Sequence, residues 1–65
     1  MPVRENTAPR QLLRLPEVIR RIGLSRSWVY QAQIEGRFPK GLKVGRATRW
    51  DSLAVTAWIA DQADR

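Results

Sequence analysis

Gly23 and Gly36 bracket the segment Gly-Leu-Ser-Arg-Ser-Trp-Val-Tyr-Gln-Ala-Gln-Ile-Glu-Gly, and this bracket limits what the chain can become. Glycine enters the left-handed conformation without steric penalty, so Gly23 can close one helix and Gly36 the next. Ser25 supplies the hydroxyl that an N-cap offers to the free amides of a first helical turn. Leu24 and Val29 have the spacing of a hydrophobic staple. A helical pattern upstream, a tight turn and a capped helix outline a helix-turn-helix. In that motif the first turn of the second helix, here Arg26, Ser27 and Trp28, meets base edges in the major groove.

Size and charge narrow the reading further. A chain of 65 residues is one small domain with a compact core. It has neither cysteine nor histidine, which removes disulfides, ordinary zinc sites and the usual activated nucleophiles. Its carboxylates Glu5, Glu17, Glu35, Asp51, Asp61 and Asp64 are scattered, with no metal-ligand spacing. No catalytic residue, metal site or cofactor is therefore expected, and the chain does not read as an enzyme. Its apolar runs are too short to span a bilayer or to form a signal peptide, so the expected location is the cytoplasm, at the nucleoid. Twelve Lys and Arg stand against six Asp and Glu, a net charge of +6. Eleven of those cations fall within residues 1–50 with only three acids, and ten of the twelve are arginine. Arginine suits forked contacts with phosphate and guanine, so a polyanion is the expected partner.

Taken in order, residues 1–13 contain Pro2 and Pro9 and no apolar period, and read as a loose arm. Arg4 and Arg10 would let such an arm reach a minor groove, although a leader without a role is the favoured reading. The first helix is predicted over residues 15–22. Pro16 and Glu17 suit its start, Val18, Ile19 and Ile22 make an apolar face, and Arg20 and Arg21 sit where the dipole favours cations. Arg14, Arg20 and Arg21 are candidate phosphate holders. The second helix is predicted from Ser25 to about Glu35. With Val29 inward, Ala32 and Gln33 share its face, and Ser27 and Gln31 point out, flanked by Trp28 and Ile34. A polar Gln33 inside and an apolar Ile34 outside break the pattern.

Leu42-Lys43-Val44, the turn Gly45-Arg46 and Ala47-Thr48-Arg49-Trp50 read as a short β-hairpin. Leu42, Val44 and Trp50 are expected to face in, and Lys43, Arg46 and Arg49 to face out. Asp51 or Ser52 caps a last helix over about 53–62, whose stripe Val55, Trp58, Ile59 and Gln62 should face the core. Residues 63–65 read as a frayed end. The fold expected is mainly α with a small hairpin: a winged helix-turn-helix over residues 14–62, in the order α-α-β-β-α.

Leu15-Pro16-Glu17-Val18, Gly23-Leu24-Ser25-Arg26-Ser27, Tyr30, Glu35-Gly36-Arg37-Phe38-Pro39 and Ala57-Trp58 closely resemble the AlpA-like prophage regulatory proteins. The run Gly45-Arg46-Ala47-Thr48-Arg49-Trp50 looks like the wing of the related excisionase and MerR-type winged helices. The resemblance spans residues 12–62. It implies a DNA binder of phage or integrative-element origin, and it carries over to Ser25, Arg26, Ser27, Tyr30, Arg46 and Arg49. Trp28, Ala32 and Gln33 depart from it: relatives usually have a small polar residue at the first position and larger apolar ones at the others.

The reading that follows is sequence-specific recognition of double-stranded DNA by a transcriptional regulator. Arg26, Ser27, Trp28 and Gln31 would read bases, with Ser25 capping their helix; Trp28 is alternatively a core side chain or one facing a second subunit. Tyr30, Arg20, Arg37 and Lys43 would anchor phosphates, and Arg46 and Arg49 would serve the wing. A module this small has a limited footprint, which favours a dimer or a cooperative array. Further partners would be RNA polymerase for a regulator, or an integrase for the alternative of an excisionase that bends attachment-site DNA. An RNA-binding basic protein is a further alternative.

Overall fold

The computed structural model describes residues 10–64. The element order is strand β1 (Leu12–Leu13), helix α1 (Leu15–Ile22), helix α2 (Arg26–Ile34), strands β2 (Leu42–Val44) and β3 (Ala47–Asp51), and helix α3 (Ser52–Ala63). This is a mainly helical winged fold with a small antiparallel sheet in the order β1-β3-β2.

Local signals place the helices. The Glu17 carboxylate accepts from the Arg14 N–H at 2.9 Å and so ties down the start of α1. Gly23 ends that helix at φ 72°, its N–H donating to Ile19 O at 2.8 Å. That single bond is the αL form of the helix stop. Ser25 Oγ accepts from Trp28 N–H at 3.1 Å, the N-cap expected for α2. Beyond α2, Gly36 at φ 75° turns the chain and Arg37 N–H reaches back to Ala32 O at 2.8 Å. Asp51 Oδ1 accepts from Leu53 N–H at 3.1 Å and caps α3, which runs on through Ala63.

Leu13, Leu15, Val18, Val29, Ala32, Phe38, Trp50 and Val55 form the core. Ile19, Ile22, Trp28 and Trp58 close its edges. Two of these tryptophans and Phe38 meet edge to face, with ring centroids 5.0–6.0 Å apart, the arrangement that aromatic quadrupoles favour. Trp58 Nε1–H donates to Arg37 O at 2.8 Å and holds α3 to the loop after α2.

Three expectations are corrected. First, the expected arm over residues 1–13 contains structure at its end, while residues 1–9 and Arg4 among them lie outside the described residues. Leu12 pairs with Asp51 and Leu13 with Trp50, and Leu13 is buried. Gln11 N–H donates to Ser52 Oγ at 2.8 Å, Ser52 N–H donates to Gln11 O at 2.9 Å, and Arg10 pairs with Asp51 at 3.2 Å. Arg10 is thus held at the start of α3. A two-residue strand is too short to show a period, which is why the sequence reads as a loop there.

Second, Leu42 and Val44 do not face in. Leu42 pairs with Arg49 and Val44 with Ala47. Cross-strand partners share a face and neighbours along a strand do not, so Leu42, Val44 and Arg49 lie opposite Trp50. Leu42 and Val44 are exposed, whereas Trp50 is buried. Lys43 pairs with Thr48 on the face of Trp50, so Lys43 and Arg49 occupy opposite faces of the wing. Third, the apolar stripe of α3 is shorter than expected. Val55 is buried and Trp58 partly so, but Ile59 and Gln62 are exposed.

Candidate nucleic-acid interface

The exposed stripe of α2 follows from helical spacing. Val29 and Ala32 are fully buried, which turns Ser27, Gln31 and Ile34 to solvent on the opposite side. Arg26 and Tyr30 flank that stripe and are exposed as well.

Gln33 resolves the break in the pattern. It lies toward the sheet, where its Oε1 accepts from Gly41 N–H at 2.6 Å and from Trp50 Nε1–H at 3.2 Å. One carbonyl oxygen thereby joins α2 to both sides of the wing's base. The close approach needs Gly41, because a Cβ there would sit 2.6 Å from Thr48 Cγ2. Nothing in local sequence names the partner of Gln33. The signal was a polar residue on an inner face, which calls for a buried donor.

Arg14, Arg26, Tyr30, Thr48 and Arg49 line one shallow cleft. It forms because β1 covers β3 only at Trp50 and Asp51, leaving the edge at Thr48 and Arg49 open. Arg14 follows β1 immediately, and the first turn of α2 approaches from the other side. Three guanidiniums and a phenol around one opening favour an anion. Arg49 Nη1–H also donates to Thr48 O at 2.9 Å, which fixes its stem along the strand. Arg46 sits exposed at the hairpin turn beside Gly45, whose φ is 65°.

Other expected site residues lie apart from this cleft. Arg20 is exposed in the last turn of α1, and Lys43 is exposed on the face it shares with Thr48 but does not line the cleft. Arg37 turns back on the protein, pairing with Glu35 and lying 5.5 Å over the Trp28 ring. Trp28 is committed to the aromatic cluster with Phe38 and Trp58 instead of the solvent stripe. These aromatics wall a larger cleft of about 680 Å³, shared with Ala57 and Gln62 of α3. It lacks the concentration of cations found in the first cleft.

Arg37 acts on the stripe indirectly. Its Nε–H donates to Glu35 Oε1 at 2.7 Å, and Glu35 Oε2 accepts from Gln31 Nε2–H at 2.9 Å. The Gln31 hydrogen bond, then the Arg37 guanidinium, hold the Glu35 carboxyl below its ordinary range. The relay orients the Gln31 amide, leaving its oxygen as an outward acceptor.

Among the described residues no group of His, Cys, Asp or Glu is arranged to hold a metal, and no helix is long and apolar enough to cross a membrane. No solved structure gives a significant match to the chain. The protein named ORF88 from Enterobacteria phage P4 is 41% identical over 61 residues, covering 92% of this chain and 68% of that protein. The family model described as prophage CP4-57 regulatory protein (AlpA) matches residues 11–63, from the strand that completes the sheet to the end of α3. The chain therefore belongs to the AlpA family of prophage regulatory proteins.

Proposed function

We propose that this regulator binds double-stranded DNA in a sequence-specific manner, with α2 in the major groove and the β2–β3 hairpin alongside as a wing. Arg26, Ser27 and Gln31 read base edges, and the Ser25 cap fixes the turn that presents them. Arg14, Tyr30 and Arg49 hold backbone phosphates along their shared cleft. Arg20, Lys43 and Arg46 add phosphate contacts at the periphery. Arg37 and Trp28 contribute by orienting α2 and the Gln31–Glu35 relay.

The observation that carries this reading is the cleft itself. It brings cations from the start of α1, the first turn of α2 and the wing to one opening beside the exposed stripe of α2. DNA is favoured over RNA by the sheet. Its solvent face presents Leu12, Leu42 and Val44, while Trp50 is buried on the other side. Single-stranded RNA readers use exposed aromatics on such a face. Membership of a regulatory family supports action as a transcriptional regulator.

Binding curves on a duplex selected from a random pool, and on its scrambled counterpart, test the assignment. Arg26→Ala should lose discrimination, weakening the selected duplex by about 1–3 kcal/mol more than the scrambled one. Arg46→Ala should weaken both alike. Equal losses on both duplexes for Arg26→Ala would refute its role in base reading.

A further inference from the structure

Ile34 is 80% exposed, more than any other large apolar side chain among the described residues. A single exposed apolar residue is ordinary on a protein surface. Its place is what matters here. Ile34 follows Ser27 and Gln31 at i+7 and i+3, on the stripe opposite buried Val29 and Ala32. From Ser27 to Ile34 the helix rises roughly 10 Å, which fits within a major groove roughly 12 Å wide.

We propose that Ile34 recognises the 5-methyl group of a thymine, which makes it a specificity-determining residue of the interface. This inference rests on α2 lying in the major groove. The floor of that groove offers polar donors and acceptors at every base pair and one apolar group, the thymine methyl. An isoleucine gains nothing from the polar edges. The neighbouring Glu35 carboxylate, held by Gln31 and Arg37, repels phosphate and keeps this end of the helix off the backbone. Charge selects the occupant: the chain carries +6, and guanidiniums of Arg14, Arg26 and Arg49 stand around the adjoining cleft. A polyanion fits such a surface, whereas a second copy of the same cationic chain does not.

The test uses the full chain and duplexes selected from a random pool. Each thymine of the selected site is replaced in turn by deoxyuridine, which removes only the methyl group. One position should weaken wild-type binding roughly four-fold, the effect of one methyl contact. Ile34→Ala should weaken the thymine duplex by a similar factor and make that position indifferent to uracil. Ile34→Val should retain sensitivity to uracil. Circular dichroism of both variants should match the wild type, since the side chain leaves the core untouched. If wild type and Ile34→Ala show the same thymine-to-uracil ratio at every position, the inference is overturned while DNA binding stands. Loss of a dimer on Ile34→Ala in sedimentation, with the ratio unchanged, overturns it in favour of self-association. If no duplex is enriched from the pool, the underlying reading fails and takes the inference with it.

Discussion

The amide oxygen of Gln33 accepts a hydrogen bond from the indole N–H of Trp50 at 3.2 Å, across the junction between α2 and the wing. Trp50 is 1% exposed, so water has almost no access to that donor. The same oxygen takes the Gly41 N–H. Replacing Gln33 by Met keeps the volume and removes the acceptor for both donors. Unsatisfied buried donors cost about 1–3 kcal/mol each, so the two together predict a loss of about 2–6 kcal/mol in urea denaturation. Adding Trp50→Phe to Gln33→Met should cost less than Trp50→Phe alone, because the orphaned indole donor disappears.

Gly41 faces Thr48 Cγ2 at 2.6 Å and the Trp50 ring at 3.2 Å, measured from where a Cβ would stand. Gly41→Ala should therefore destabilise the wing by about 1–3 kcal/mol. Thr48 is β-branched and turns stiffly about χ1, so it relieves the clash poorly. Thr48→Ala removes the nearest atom, and Gly41→Ala should then cost less in the double variant. A four-membered cycle of denaturation free energies measures the coupling, and additivity would contradict the geometry.

Arg14 and Arg49 reach the same cleft from different elements. If each neutralises phosphate, Arg14→Ala and Arg49→Ala should each lower the slope of log binding constant against log salt by about 1. Both should weaken selected and scrambled duplexes in parallel. Filter binding across a salt series gives the slopes, and unchanged slopes would remove these residues from the backbone contacts.

Glu35 titrates below the usual glutamate range, through the hydrogen bond from Gln31 and then through Arg37. A carboxyl depressed in the folded state contributes stability above its unfolded pKa. That contribution is lost as the pH falls through the lower folded value. The group lies at the surface, so the readout is the titration itself. Carboxyl carbon resonances should give Glu35 a midpoint below that of an ordinary glutamate. Gln31→Ala or Arg37→Ala should each raise it, and the double variant should bring it into the ordinary range.

The chain by itself determined where each helix begins and ends and where the hairpin turns. Ser25, Gly23, Gly45 and Asp51 act within one turn of their own position, and the spacing of Val18, Val29 and Val55 marks inward faces. Such signals are local, so they survive in the sequence as pattern. Ser27 and Gln31 were legible as the outer stripe for the same reason. Tertiary structure alone decided the pairing of Leu13 with Trp50, the acceptor role of Gln33 and the gathering of Arg14 with Arg26 and Arg49. It also decided which face of the wing Leu42 and Val44 occupy. Alternation along a strand says that neighbours point apart, but only the register with Arg49 and Ala47 says which set is covered. Contacts such as Gln11 with Ser52 join distant parts of the chain, and no local period records them.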